Sequence, residues 1–312
     1  GGGAYLDALA PWRARPHAYT QYAQPRSIPD DGAVERLWRQ LRGVARGLVV
    51  AGRLASPAEA DAVRWLAETL GWPLLPDVGS HLRLGGGRCD VLAPYYDLML
   101  ASEAFRSAHP PEAVLHVGGR PTSKRLAQYL DAARPDPYVV VRDDPFRFDP
   151  AHRVTCRIEA DVVAFCETLV RTVQAAPAEP PGAWLAGWQA GTARTAARLD
   201  ACFAGRDAID EPGVARLVSR HLPEGHGLFV ASSMPVRDLD AFAVPDGALV
   251  RVAANRGASG IDGTVAAAAG FAMGLQAPVT LLVGDLALLH DLNTLALLPR
   301  LPVPVTVVAV NN

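Results

Sequence analysis

Two polar residues follow apolar, strand-like runs near the end of the chain. Asp285 comes directly after VTLLVG, and Asn312 ends the run VPVTVVAVNN. The stretch between them is long enough for one helix and one strand, so we expect the two runs to be adjacent parallel strands about 4.8 Å apart. Carboxylate and amide oxygens suit Mg²⁺ or Mn²⁺ that also holds phosphate oxygens. We therefore predict a metal site at Asp285 and Asn312; alternatively, the first caps a turn and the second only ends a strand.

Arginines near predicted strand ends indicate a second kind of chemistry, the binding of carboxylates. Arg256 lies in the glycine-rich sequence NRGASGIDG, directly after a strand-like run, where the glycines permit tight turns and close approach of a ligand. A guanidinium group holds a carboxylate through two parallel hydrogen bonds. Arg237, in SSMPVRDLD, is a second candidate. For Arg237 the alternative is a surface ion pair with Asp238 or Asp240.

A pair of cations opens a predicted helix. Lys124 and Arg125 follow a strand and a short loop in TSKRLAQYL. The dipole of a helix disfavours cations at its amino end, and an anion bound there by the helix amides and both side chains would remove the conflict. The alternative is a pair that only faces solvent.

The elements that must position these residues alternate between strand-like and helical patterns. The clearest helix covers 57–70, where Ser56 can cap, Pro57 suits the first position, Glu59 completes a capping box and Gly71 ends the helix. Strand-like runs such as RGLVVAG and AVLHVGG are separated by helical stretches typical of right-handed crossovers. The sequence therefore predicts an α/β protein with two consecutive parallel-sheet domains, the second of them truncated.

Composition changes suggest where these domains begin and end. Residues 1–40 are rich in Pro, Arg and Tyr and are predicted to be an extended leading segment or linker. The sequence QAAPAEPPG is the best linker, so we predict one domain at 41–180 and a second, truncated domain at 181–312. Single helices are predicted at 93–107 and 291–298.

Charge and cysteine content exclude several classes of function. The net charge is −2 and 20% of residues are charged, which argues against nucleic acid or an anionic membrane as the main partner. The four cysteines have no metal-ligand spacing and indicate reduced thiols in a cytoplasmic protein. The uncharged stretch 263–284 is interrupted by Gly and Pro, so no membrane span is predicted.

The motif GDL…NN resembles the diphosphate-binding signature of thiamine-diphosphate enzymes, in which Gly-Asp-Gly is followed by Asn-Asn. Leu286 stands where the general pattern has the second glycine. Together, NRGASGIDG, GDLALLHDLNTLALL and TSKRLAQYL resemble the menaquinone-pathway branch of that family, which tolerates this departure. The resemblance runs from about residue 40 to the end. It implies that 41–180 is the central domain and 181–312 the first part of a diphosphate-binding domain.

The resemblance implies roles for individual residues. Ile261 matches the apolar residue that lies under the bent cofactor, and Arg256 matches a contact to a substrate carboxylate. The implied cofactor contacts are Ser259, Gly260, Ile261, Gly284, Asp285 and Leu286. The implied substrate contacts are Lys124, Arg125, Ser233, Arg237 and Arg256. The implied metal ligands are Asp285 and Asn312.

The resemblance also implies an activity for the full-length protein. It implies a homodimer or homotetramer that uses thiamine diphosphate and Mg²⁺ to decarboxylate 2-oxoglutarate and to add the four-carbon acyl anion to isochorismate. The activating glutamate belongs to an upstream pyrimidine-binding domain, so we expect this chain to hold no catalytic residue and to be inactive alone. Two alternatives stay open, a carboligase or decarboxylase of the acetolactate-synthase kind and a non-catalytic α/β ligand-binding fragment.

Overall fold

The computed structural model describes residues 2–15, 20–23, 25–85, 89–178, 182–206, 208–257 and 260–311. These residues form one sheet of five strands and one of four, and every pair of neighbouring strands is parallel. The predicted α/β class is therefore confirmed. Two residues with predicted roles, Ser259 and Asn312, lie outside the described residues.

The first sheet has the strand order β2-β1-β3-β4-β5. Its strands are β1 (Gly47–Ala51), β2 (Leu74–Pro76), β3 (Ala113–Val117), β4 (Tyr138–Arg142) and β5 (Cys156–Glu159). Its helices are α2 (Asp31–Leu41), α3 (Pro57–Leu70), α4 (Tyr96–Met99), α5 (Glu103–Ala108), α6 (Lys124–Ala133) and α7 (Val162–Ala175). Strands β1 and β3 are buried along their whole length, because helices cover both faces of the sheet.

The second sheet has the order β7-β6-β8-β9. Its strands are β6 (Gly227–Val230), β7 (Arg251–Ala254), β8 (Val279–Gly284) and β9 (Val305–Val310). The associated helices are α9 (Glu211–His221), α10 (Met234–Phe242), α11 (Thr264–Leu275) and α12 (Asp285–His290), followed by a 3₁₀ segment at Leu292–Arg300. No helix in the described ranges is both long and apolar enough to cross a membrane.

The leading segment differs from its prediction, since residues 1–40 are not extended throughout. Helix α1 covers Gly2–Arg13, and α2 begins after Asp30, whose side chain accepts a hydrogen bond from the Ala33 amide at 2.7 Å. Val34, Leu37, Trp38 and Leu41 form the buried face of α2 and pack on the first sheet. This three-and-four spacing is a helical signal that outweighs the surrounding Pro and Arg content.

Two other helices differ in detail from the sequence prediction. The predicted helix at 93–107 is two short helices, α4 and α5, and Ser102 begins the second by accepting a hydrogen bond from the Phe105 amide at 3.3 Å. The predicted helix at 291–298 is instead the 3₁₀ segment, while α12 occupies the preceding residues. Asp291 lies between α12 and the 3₁₀ segment. Its carboxylate accepts a hydrogen bond from the Val265 amide at 2.6 Å and so caps α11.

Helix α8 (Gly182–Phe203) packs on the first sheet, although the sequence assigned it to the second domain. Trp184 and Trp188 are buried among residues of the first sheet, and the Trp184 indole donates a hydrogen bond to the Gly47 carbonyl at 2.7 Å. Proline-rich composition predicted a linker before α8 but carried no information about which sheet the following tryptophans cover. We therefore propose that the domain boundary lies after α8 and not at residue 180.

Candidate functional site

A cleft of about 800 Å³ lies where the carboxyl ends of the two sheets face each other. One wall comes from the loops after β1, β2, β3 and β4, including Arg53, Gly79, Arg120 and residues 142–148. The other wall comes from the loops after β6 and β7 and from α10. Ligands of parallel α/β sheets bind at this edge. The cleft is therefore a candidate site on topological grounds alone.

The cleft is strongly cationic. The arginines that line it are Arg53, Arg120, Arg142, Arg147, Arg237 and Arg256. Arg142 pairs with Asp144 at 2.6 Å, and Arg147 approaches Asp149 at 3.8 Å. Across the described residues, the guanidinium groups of Arg53, Arg120 and Arg256 have no carboxylate within 4.0 Å. Several guanidinium groups are thus left to bind external anions.

Asp77 is the one carboxylate among the described lining residues of this cleft. It is buried, and it accepts hydrogen bonds from the backbone amides of Gly79 at 2.8 Å and Thr122 at 2.5 Å. Burial raises the pKa of Asp77, while these amide donors and the charge of Arg256 oppose that rise. Its oxygens are already engaged, so Asp77 shapes the wall and does not neutralise the unpaired arginines.

The turn after β6 places Ser233 and Arg237 in the cleft. Ser233 has a positive φ of 80°, which is rare for a residue with a side chain. Two contacts hold this turn, because the Ser232 hydroxyl donates to the Asn255 carbonyl and the Arg237 guanidinium donates to the Ser233 carbonyl. Within the described residues, no carboxylate lies within 4.0 Å of the Arg237 guanidinium, although its charge opposes the rise that burial causes in the pKa of the neighbouring Asp238.

A second cavity, of about 300 Å³, adjoins the cleft through Ser232, Ser233 and Ile261. It lies at the carboxyl ends of β8 and β9, which pair so that Gly284 is opposite Val310. Gly284, Asp285 and Leu286 line it. The strand adjacency that the sequence predicted is present up to Val310, and Asn312 lies beyond the described residues.

The second cavity is acidic where the cleft is basic. Its lining includes Glu211, Asp238 and Asp285 and no described arginine or lysine. Burial and the charge of Glu211 raise the pKa of Asp238 to about 6, against the opposing charge of Arg237. The described residues contain no cluster of three or more His, Cys, Asp or Glu side chains that could enclose a metal ion alone. A cation here would need further oxygen ligands.

Open space lies beside three of the glycines at the two sites. A Cβ atom added to Gly257, Gly260 or Gly284 would meet no atom within 4 Å, so these glycines are not required by packing. The space beside Gly284 lies next to the Asp285 carboxylate in the acidic cavity. This arrangement suits a phosphate group that shares a cation with Asp285.

The cations at the start of α6 lie apart from the other predicted residues. Arg125 pairs with the buried carboxylate of Asp97, which also accepts a hydrogen bond from the Ser123 hydroxyl at 2.6 Å. Arg125 lines a different surface groove, and Lys124 is exposed and lines neither the cleft nor the cavity. The anion that the sequence predicted beside this helix is thus supplied by Asp97 of the chain itself.

The structure brings together Ser233, Arg237, Arg256, Gly260 and Ile261 in the cleft, with Gly284, Asp285 and Leu286 next to it. Sequence reasoning missed Arg53, Arg120 and Arg142. Each of these ends a strand or follows one within three residues, which is the same signal that identified Arg256. Applied to every strand, that signal would have found them.

Comparisons with known proteins bear on the chain as a whole and not on single residues of the site. A family model described as the middle domain of thiamine pyrophosphate enzymes matches residues 3–230. The chain is 55% identical, over 94% of its length, to 2-succinyl-5-enolpyruvyl-6-hydroxy-3-cyclohexene-1-carboxylate synthase of Rubrobacter xylanophilus, and 49% identical, over 99%, to the synthase of that name in Salinibacter ruber. It covers 50% and 52% of these relatives, so the chain spans about half their length.

Proposed function

Because the chain belongs to the family of thiamine pyrophosphate enzymes that share this middle domain, we propose that it forms part of a synthase acting on 2-oxoglutarate and isochorismate. The proposed reaction is decarboxylation of 2-oxoglutarate followed by addition of the remaining four-carbon unit to isochorismate, in menaquinone biosynthesis. The proposed cofactors are thiamine diphosphate and Mg²⁺ or Mn²⁺. The relatives' shared name supports the reaction, and the site supports the chemistry.

One observation carries the proposal: the cleft of unpaired arginines adjoins the acidic cavity at the tips of β8 and β9. Both proposed substrates are dicarboxylates, which need several guanidinium partners in a confined space. The diphosphate of the cofactor needs a cation, and a carboxylate must help to hold that cation. The cleft supplies the guanidinium groups for the substrates, and the acidic cavity supplies the carboxylate for the cation.

The residues of the cleft bind and orient the acids in this proposal. Arg256, which has no carboxylate partner in the part of the chain that the structure describes, holds a substrate carboxylate, and Arg237 holds a second from α10. The Ser233 hydroxyl lies between cleft and cavity and orients a polar group of the substrate. Fixing both acids side by side converts their encounter into an effectively intramolecular step.

The residues of the acidic cavity fit the cofactor. Asp285 would hold the metal ion, with Asn312 as the proposed second ligand, and the space beside Gly284 would accept the diphosphate. Ile261, half-buried between cleft and cavity, would support the bent ring system. When bound, thiamine diphosphate supplies the stabilisation of the acyl carbanion. Cofactor contacts at Ser259, Gly260 and Leu286 complete this proposal.

The proposed full-length protein is a cytoplasmic homodimer or homotetramer, with its activating glutamate outside this chain. We assign no catalytic residue to the chain itself. Lys124 and Arg125 stay proposed substrate contacts, although neither lines the cleft. The exposed Lys124 side chain leaves it available for such a contact.

The test is product formation by the protein expressed at the full length of its relatives, followed by mass spectrometry. With thiamine diphosphate and Mg²⁺, we expect 2-oxoglutarate and isochorismate to be consumed together with release of carbon dioxide. Pyruvate in place of 2-oxoglutarate should give little product, since it offers only one carboxylate to the arginines. Preferred turnover of pyruvate would instead support a carboligase of the acetolactate-synthase kind. Absence of cofactor binding by calorimetry would support a non-catalytic ligand-binding protein.

A further inference from the structure

Helix α10 belongs to the unit built on the second sheet, and it places the carboxylate of Asp240 among residues of the unit built on the first sheet. Asp240 is 2% exposed, and one carboxylate oxygen accepts a hydrogen bond from the Val78 amide at 2.8 Å. The other oxygen accepts from the Tyr96 hydroxyl at 3.0 Å. Val78 and Tyr96 both belong to the first unit, so a single side chain bridges the two units with both oxygens.

A buried guanidinium completes this contact. Arg83 is 0% exposed, and its Nε donates to the Asp240 backbone carbonyl at 2.9 Å. Its two Nη atoms have no hydrogen-bond partner among the described residues, and its guanidinium lies 5.4 Å from the centre of the Tyr95 ring. Burial lowers the pKa of Arg83 and raises the pKa of Asp240, and the charge of each residue opposes the shift of the other.

The bridge joins the two walls of the cleft. Val78 lies between Asp77 and Gly79, and all three line the first wall. Asp240 is one helical turn beyond Arg237, and Ser233 caps the same helix, so both cleft residues of the second wall move with α10. Displacing Asp240 would therefore displace Ser233 and Arg237 relative to the arginines of the first wall.

We propose that Asp240, with Arg83 and Tyr96, is an interlock that positions Ser233 and Arg237 across the cleft from Arg53 and Arg120. Asp240 is a positioning residue, because it touches neither the cleft nor the cavity. An apolar side chain would pack the units together as well, but it would not fix the register of α10 against the Val78 amide. The expected effect of the interlock on turnover rests on the proposed function. Its expected effect on the position of α10 rests on the geometry alone.

The first experiment compares Asp240→Ala, Asp240→Asn and Tyr96→Phe in the protein at the full length of its relatives. We expect Asp240→Ala to raise the KM for 2-oxoglutarate on the order of tenfold or more, because small misplacements of a binding group have such effects. Asp240→Asn keeps an acceptor for the Val78 amide and should restore part of the loss. Tyr96→Phe removes one hydroxyl without a cavity and should give a smaller rise. Asp246→Ala, an exposed carboxylate just beyond α10, is the control and should leave the KM unchanged.

The affinity for thiamine diphosphate separates positioning from general destabilisation. It should fall by less than the KM rises in every variant, because Asp285 is on α12, although Met234, Pro235 and Asp238 of α10 also line the acidic cavity. Equal losses of substrate and cofactor affinity, or a lowered Tm with unchanged KM, would overturn the proposal.

Hydrogen exchange gives a readout that does not need turnover. In Asp240→Ala we expect faster exchange at α10 and at the Val78 amide, with unchanged exchange in β8. If the unaltered protein shows no turnover, the proposed function fails while exchange still tests the interlock. Unchanged exchange at α10 and Val78 in both Asp240→Ala and Arg83→Met would refute it; Arg220→Met, exposed on α9, is the matched control for arginine removal.

Discussion

The cleft and the acidic cavity are neighbours with opposite charge. Six arginines line the cleft with one engaged carboxylate, whereas three acidic residues line the cavity without a described cation. Ser232, Ser233 and Ile261 belong to both. These shared residues are uncharged, and the basic and acidic linings meet across them, where the charge of Arg237 opposes the rise that burial causes in the pKa of Asp238. The difference teaches that the two halves of the site suit ligands of opposite charge, with the proposed carboxylates on one side and the proposed cation on the other.

Asp285→Asn should break the cavity and leave the cleft intact, and it has the largest expected effect. Residues that only orient a metal ligand contribute about 10- to 100-fold to metal affinity. Loss of a direct ligand should therefore lower turnover on the order of 100-fold at limiting Mg²⁺. Calorimetry should show weaker binding of Mg²⁺ with thiamine diphosphate, and excess Mg²⁺ should restore part of the activity. Glu224→Gln, exposed on the loop before β6, is the control. Unaltered metal dependence in Asp285→Asn would remove the proposed metal role.

Arg256→Met should weaken the binding of the acid substrates in the cleft and leave the acidic cavity intact. A hydrogen bond to a charged group contributes about 1.5–3 kcal/mol, which corresponds to a KM about 10- to 150-fold higher for the acid substrates. Steady-state kinetics should show this rise with little change in cofactor affinity. Arg251→Met tests an arginine at the amino end of the same strand, away from the cleft, and should have no effect on KM. Similar effects of both variants would point to strand stability as the cause.

The raised pKa of Asp238 should make the acidic cavity sensitive to pH. Its pKa is about 6 in the folded chain against an ordinary 3.8, so the folded state retains a proton that the unfolded state has released. Stability from this group is therefore present below about pH 4 and is lost as the pH rises through about 6, by about 1–2 kcal/mol after allowance for solvent screening. Denaturant unfolding at pH 4.5 and 7.5 should show this loss in the unaltered protein and not in Asp238→Asn. An identical pH slope in both proteins would contradict the assignment.

Arg147→Met should have the smallest effect and sharpen the distinction between paired and unpaired arginines. Arg147 is exposed at the rim and has Asp149 at 3.8 Å, so little of its charge remains for a ligand. We expect less than about a threefold change in KM. A change as large as that of Arg256→Met would show that ion pairing within the chain does not decide which arginines bind substrate.

Much of the fold followed from local sequence signals. Half of the predicted capping box is present, with the Ser56 hydroxyl accepting from the Glu59 amide at 3.3 Å, whereas the Glu59 carboxylate accepts from the Ala55 amide at 2.7 Å and not from that of Ser56. Helix α3 begins and ends as predicted. Helix α8 was assigned to the wrong sheet because periodicity reports an apolar face and not its partner. Only the packing of Trp184 and Trp188 reveals that partner.

The candidate site was predictable to the extent that strand ends define it. Arg256 and Asp285 were found because each directly follows an apolar strand. The fate of Arg125 was not predictable, because its partner Asp97 is distant in sequence and its burial depends on α4 and α6 meeting. Asp240 was missed for the same reason, since the groups that donate hydrogen bonds to it belong to the unit of the first sheet.

The packing of α8 has a consequence for spectroscopy. All six tryptophans occur at or before position 188, and the second sheet contains none. Indole emission therefore reports melting of the five-stranded unit alone, while far-ultraviolet circular dichroism reports both. Any lag between the two optical signals during denaturation would measure how tightly the halves of the molecule are coupled.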